Sequence, residues 1–431
     1  MSKFDRKTIT NKIHPVVNKI QTSKLVNGIT GGMMGAMPIT ILGAFAALLL
    51  NLPIPGYKEL IAAAGVASAL KVIIMFTTNF LAVIFAVAIA GNYAKQHEED
   101  GLFCGILTLI CFFIVTPVAI SDKGAVSVPM QWLGGTGIFT GIVVSLVSTR
   151  VYVYIKQKGF TIKMPASVPP VVSSSFSSLI PGFASIILFA IVATVFAVTP
   201  FKNMHQFVYS FLQTPLEGLG GNIVTILIVW TFAQLLWFMG IHGTMVVWSV
   251  FLPIITSMDA VQLAAYSAGE PLPNITGRAF ISTYTMSASA IGFTLLMLFC
   301  AKSQQYKALG KLTTLPALFG ISEPLVFGTP LVFNFRFVIP FVFMNALSLA
   351  IAYFVTYVGI VPRVAGITPI TGMPIILNGI MEGGWKIAAL QVALVGVQML
   401  VWYPFFRKAD RESYALEQHE KVQQAECQYP G

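Results

Sequence analysis

The sequence predicts an all-α polytopic membrane protein of about ten transmembrane helices plus a re-entrant hairpin. Three observations support that class. The chain is 56% hydrophobic and only 10% charged over 431 residues, with a mean hydropathy of +0.80, whereas soluble domains carry roughly 25% charged residues. Uncharged apolar windows recur along the whole length, and a bilayer core is crossed by ~20 such residues. Between residues 316 and 330, proline and glycine interrupt an apolar run about every four residues, a pattern no single spanning helix tolerates.

The windows are 31–50, 72–91, 101–121, 132–149, 179–198, 222–240, 279–301, 337–358 and 387–406, with a shorter one at 246–258. Positive charge decides whether the short window crosses. Lys3, Arg6, Lys7, Lys12, Lys19 and Lys24 mark the N-terminus as cytoplasmic, and there is no compact signal-peptide core. If 246–258 crosses, the later basic groups all fall on that same side: Lys95; Arg150, Lys156, Lys158 and Lys163; Lys302, Lys307 and Lys311; Arg407, Lys408 and Arg411. The opposite loops hold few, such as Lys58, Lys123 and Lys202. Both termini are therefore expected in the cytoplasm. The net charge of +10 is an orientation signal of this kind, not a nucleic-acid footprint.

Other chemistries are excluded. Cys104, Cys111, Cys300 and Cys427 show no paired spacing. There is no P-loop, no HExxH and no defensible Ser-His-Asp arrangement, so no cofactor or metal is expected. Energy must come from an ion gradient or a separate protein. The run KMPASVPPVVSSSFSSLIP, 163–181, reads as a cytoplasmic linker into the fifth span. It divides an N-terminal membrane half, 1–178, from a C-terminal half, 179–406, with a short tail at 407–431. The first half has few polar groups at membrane depth and the second nearly all of them, which suggests a scaffold and a working half.

The run GISEPLVFG, 320–328, sits inside LTTLPALFGISEPLVFGTPLVFNFRF. Broken backbone at membrane depth is stable only where protein buries it or a wet cavity runs past it. A hairpin entering from the side of Lys311 and Arg336 satisfies this, with Glu323 near its tip. A carboxylate there costs a few kcal/mol even on lenient insertion scales and is a functional group by default. The competing roles are a helix-end cap and an ion-pair partner for Arg336. His242 lies between Gly240 and Gly243 in a window uncharged from 218 to 258. It is either a ligand exposed at a helix break or a satisfied core histidine. Trp237 can stack on a pyranose ring or anchor an interface. Asn334 can bond a hydroxyl or cap the following helix. Trp385 faces a cavity or anchors the last span. Glu382 and Arg278 fit better as loop or interfacial charges. A carboxylate, an imidazole, an amide and aromatic rings together suit a sugar.

GISEPLVFGTPLVFN resembles the G-[IV]-[ST]-E-P-x-x-[FY]-G signature of enzyme IIC, the membrane component of the bacterial phosphotransferase system. The version here is similar to the lactose, cellobiose and diacetylchitobiose family, whose IIC fold belongs to the glucose superfamily. The basic N-terminus, the GIHG turn and the ending GGWKIAALQ…VWYPFF carry the resemblance across most of the chain. It implies a permease of the bacterial cytoplasmic membrane that moves a β-linked disaccharide, such as cellobiose or diacetylchitobiose, and releases it phosphorylated on the 6-hydroxyl. The donor would be a cysteine of phosphorylated IIB, supplied in turn by IIA, HPr and enzyme I. Glu323 and His242 would bind the sugar near that hydroxyl, with Trp237, Asn334 and Trp385 as further contacts. The resemblance also implies a homodimer built by the N-terminal half. Relatives often carry W-T-T-P where this chain has VAGITPITG, and G-D-W-R where it has GGWK, so the exact sugar stays open. The rival class is a sugar–cation symporter without chemistry, which needs no phospho-donor protein. A purely structural scaffold leaves Glu323 unexplained.

Overall fold

The computed structural model of this protein describes residue 19 and residues 22–50, 56–120, 124, 126–165, 167–288, 290–329, 331–367 and 373–428. Lys3, Arg6, Lys7, Lys12 and Lys123 lie outside the described residues, as do 368–372 of VAGITPITG. Each of the ten apolar windows contains helix among its described residues. The first is α1 (Lys24–Gly35) and α2 (Met37–Leu50). After α3 (Tyr57–Ala63), the second is α4 (Val66–Phe76) and α5 (Leu81–Lys95), joined by one 3-10 turn. Then come α6 (Gly101–Val115), α7 (Ile138–Gln157) and α8 (Pro170–Ala197). Short α9 (Met204–Val208) and α10 (Thr214–Gly221) precede α11 (Ile223–Phe238) and α12 (Gly243–Ala268). The eighth window is divided between α13 (Arg278–Ala288) and α14 (Ile291–Cys300). The hairpin region is α15 (Gln304–Leu318) and α16 (Glu323–Gly328). Last are α17 (Val338–Tyr357), α18 (Ile375–Gly383) and α19 (Trp385–Gln428). Among the described residues, seven helices are long and apolar enough to cross a bilayer, or up to eight if the bent pair 204–221 with 223–238 is one span. The windows at 101–121 and 279–301 hold shorter helices. The strands are two-residue pieces, β1 (Ala119–Ile120) and β2 (Val126–Ser127), paired antiparallel.

Several boundaries differ from the sequence expectation for identifiable reasons. Helix α6 stops at Val115, short of residue 121. Thr116 precedes Pro117 and is pushed to an extended conformation, ψ 131°. The expected linker 163–181 is helical from residue 170. Proline there occupies the first helical turn, where no amide donor is needed. The serines do not break α8, because Ser175, Ser177 and Ser178 bond back to carbonyls three or four residues earlier. Ser178 also bonds the Tyr152 hydroxyl at 2.8 Å. The presumed tail is likewise helix, since α19 continues unbroken past Arg407 to Gln428.

Packing divides the chain into Met1–Gly220 with Trp248–Pro273, and Gly221–Val247 with Asn274–Gly431. In the first unit α5 is central, covered by α1, α6 and α7, and α8 lies on α6 and α7. That unit is more polar inside than its windows suggest. Thr108 and Ser148 bond at 2.7 Å. Gln213, Glu217 and Ser257 form a network at 2.6–3.0 Å. Buried His205 stacks on Trp132 and bonds Thr116 at 2.9 Å. Hydroxyls and amides of this kind barely change a hydropathy window. In the second unit α11 packs on α17, α14 on α15 and α19, and α18 on α19. Buried Trp402 stacks on Phe293 with centroids 4.3 Å apart. Trp402→Ala should leave a cavity costing ~3–5 kcal/mol, read as a lower melting temperature of the purified chain than that of Tyr403→Ala.

Candidate functional site

Both segments singled out by the sequence lie in the second unit, and their backbones are built alike. Helix α11 ends with Gly240 in the left-handed region, φ +81°, and Ile241 N–H donates back to the Leu236 carbonyl at 2.9 Å. Helix α15 ends with Gly320 at φ +77°, and Ile321 N–H donates to the Pro316 carbonyl at 3.0 Å. Glycine followed by an apolar residue closes a helix in this manner because glycine meets no side-chain clash at positive φ. In each case the next residue starts another helix. The His242 carbonyl accepts from Val246 N–H at 3.3 Å, and the Ser322 carbonyl from Val326 N–H at 3.0 Å.

The GIHG turn needs its second glycine for a different reason. A Cβ on Gly243 would stand 1.9 Å from the Ala233 carbonyl oxygen, so α12 begins against the backbone of α11. His242 is exposed at this break. Its Nδ1 accepts from Met245 N–H at 3.3 Å, capping α12. An accepting Nδ1 leaves the neutral ring's proton on Nε2, which is then a donor. Trp237 backs the imidazole, with ring centroids 4.2 Å apart, and donates from Nε1 to Thr244 Oγ1 at 3.0 Å. Trp237 is only 7% exposed.

The hairpin returns to the same turn. Phe333 N–H donates to the Phe238 carbonyl, the last residue of α11, at 2.9 Å. Phe238 also packs on the rings of Phe333 and Phe335 at 5.9 and 5.3 Å. Val332 lies against Gly240. Glu323 is the first residue of α16, and its side chain lies outside what the structure describes. Arg336 is paired with Glu412 at 2.6 Å. Asn334 Oδ1 accepts from Arg336 N–H at 3.1 Å within the return loop, ahead of α17. Trp385 is 73% exposed at the start of α19.

Two charges read as loop or interfacial are instead buried. Glu382 is 1% exposed and Arg278 6%. The Glu382 carbonyl accepts from Ala365 N–H at 2.8 Å and its Oε2 from Ile367 N–H at 3.3 Å. Backbone and side chain of Glu382 therefore hold the first residues of VAGITPITG. Nearby in sequence, Gln391 donates to the Thr283 carbonyl at 2.9 Å and Asn378 Oδ1 at 3.2 Å, joining α13, α18 and α19. Glu382 directly precedes Gly383 and Gly384, a helix stop, and that context reads as a loop in sequence.

Residues 30–344 match the family model described as Phosphotransferase system, EIIC. The chain belongs to that family. A Bacillus subtilis (strain 168) relative, "Lichenan permease IIC component", is 33% identical over 422 residues, covering 94% of this chain and 93% of that protein. A Geobacillus stearothermophilus relative, "PTS system cellobiose-specific EIIC component", is 31% identical with 97% of each covered. The crystal structure of the transporter ChbC, the IIC component from the N,N'-diacetylchitobiose-specific phosphotransferase system, superposes with a TM-score of 0.88 at 30% identity. The match covers 95% of this chain and 99% of that one. The EIIC fold is thus common to the chain and its solved relative over nearly their whole lengths.

The two glycines of the turn make separable demands on this EIIC chain. Gly240→Ala meets a left-handed φ, worth ~1–2 kcal/mol, and a Val332 methyl 3.3 Å from the added carbon, a side chain that can give way. Gly243→Ala must move α12 off α11. Melting of the two purified variants should show Gly243→Ala as clearly the less stable.

Proposed function

We propose that this EIIC component is a permease of the bacterial cytoplasmic membrane for a β-linked disaccharide of the cellobiose or diacetylchitobiose type, phosphorylated on its 6-hydroxyl by phospho-IIB. The observation that carries the reading is the bond from Phe333 to Phe238, which joins the Glu323 hairpin to the His242 turn. The names of the relatives, a lichenan permease and a cellobiose-specific component among them, support the same sugar class.

In this reading the sugar binds in the C-terminal half with its 6-hydroxyl between the turn and the hairpin. His242 donates from Nε2 to a sugar oxygen, and Trp237 fixes the ring plane from behind. Glu323 accepts the proton of the 6-hydroxyl as that oxygen attacks phosphorus. The P–O bond forms, the P–S bond to the IIB cysteine breaks, and the thiolate leaves on IIB. The anionic product is then repelled by an acidic site, which favours release. Both termini and the IIB-docking face are cytoplasmic, IIB is recharged through IIA, HPr and enzyme I, and the N-terminal half forms a homodimer.

Binding and chemistry separate in two variants. His242→Asn retains an oxygen that can cap α12 but loses the Nε2 donor. It should weaken sugar binding by ~5- to 150-fold, the equivalent of ~1–3 kcal/mol for one hydrogen bond, while melting like the parent. Glu323→Gln should keep most sugar binding and lose IIB-dependent phosphorylation. Wild-type binding by His242→Asn, or wild-type phosphorylation by Glu323→Gln, sinks the assignment.

A further inference from the structure

The hairpin is held at both ends by the part of α19 that continues beyond Phe406. At its start, four successive backbone amides are taken up by two carboxylates. Lys302 N–H donates to Asp410 Oδ2 at 2.8 Å and Ser303 N–H to Oδ1 at 3.0 Å. Gln304 N–H donates to Glu417 Oε2 at 2.9 Å and Gln305 N–H to Oε1 at 3.0 Å. Ser303 Oγ, the N-cap of α15, also donates to Asp410 Oδ1 at 2.8 Å. These amides have no partner within the helix and lie at its positive end, where a carboxylate is most stabilising. Asp410 is 4% exposed. At the hairpin's return, Glu412 pairs with Arg336 at 2.6 Å.

The grip is continuous with the packing beneath it. Trp402, Phe406, Asp410 and Glu417 recur at helical spacing and so share one face of α19. Phe406 meets Tyr306 with centroids 5.6 Å apart, and Trp402 meets Phe337 at 5.8 Å. One face of one helix thus contacts the first turn of α15 and the residue where the return loop enters α17. Between those points lies the segment carrying Glu323.

We propose that the extension of α19 is a clamp that sets the hairpin against the GIHG turn, with Asp410 and Glu417 as positioning residues for sugar phosphorylation. The role in phosphorylation rests on the reading of Glu323 given above; the clamp itself is read on the hairpin directly. Neither carboxylate touches sugar. Their loss should let the hairpin wander and should reduce turnover more than sugar affinity.

The test uses the full chain in lipid vesicles with phospho-IIB, in a background lacking its four cysteines. A spin label at Ile321→Cys, which is 44% exposed beside Glu323, reports hairpin mobility. Asp410→Ala/Glu417→Ala is compared with Gln418→Ala on the exposed side of α19. Glu417→Ala alone serves if the double variant does not fold. Expected are a more mobile label and phosphorylation at saturating sugar reduced roughly tenfold, a factor worth ~1.4 kcal/mol, with the sugar Kd changed less than that. A label as ordered as in Gln418→Ala overturns the clamp, and turnover within about twofold of the parent overturns the positioning role. If Glu323→Gln itself proves active, the label still decides the clamp, so the two readings fail separately.

Discussion

The hydrogen bond from Phe333 N–H to the Phe238 carbonyl, 2.9 Å long, is the constraint on which the candidate site depends. A helix that stops inside a membrane protein leaves carbonyls without partners, and no lipid group can satisfy them. Helix α11 ends at Phe238 and the hairpin's return passes it in irregular backbone. Each supplies what the other lacks. Phe333 holds φ +54°, an uncommon value for a bulky residue, and its amide is spent on this bond. Strain of that kind persists where surrounding contacts over-determine it. Here they include the Phe238 ring and Val332 against Gly240.

From that bond the chemistry of the site follows outward. Two helices end in the same glycine-closed manner, and each hands over to a residue that begins a new helix, His242 in one case and Ser322 just before Glu323 in the other. In the proposed site both His242 and Glu323 therefore stand at helix ends instead of within spanning helices. The capping bond to Nδ1 fixes which imidazole nitrogen faces outward as a donor. Rigid support comes from Trp237 on one side and from the aromatic packing of Phe293, Phe337 and Trp402 on the other.

Much of this was legible in the chain itself. The ten windows stand out because charge is so sparse, and each contains helix among its described residues. The two glycine-flanked sites stand out because a lone His or Glu in an apolar run has few harmless explanations. Features carried by hydrogen-bond geometry were hidden. Serines in α8 look like a linker until their hydroxyls are seen to bond back along the helix. Asn334 reads as a sugar contact or a helix cap, and its bond to Arg336 N–H, inside the return loop, is neither. Glu382 looks like a loop charge because its partners, Ala365 and Ile367, are backbone amides of a segment remote in sequence. The acidic face of α19 looks like a tail because its partners are amides more than a hundred residues away.

The central claim is that the GIHG turn and the hairpin form one sugar site. Met245 and Ile321 are exposed, beside His242 and Glu323 respectively. Cysteine at each position alone, in a chain without native cysteines, allows alkylation rates to be followed as cellobiose or diacetylchitobiose is added. The account predicts that one sugar slows both reactions with the same midpoint concentration. Protection of one position while the other reacts unchanged at saturating sugar would contradict it.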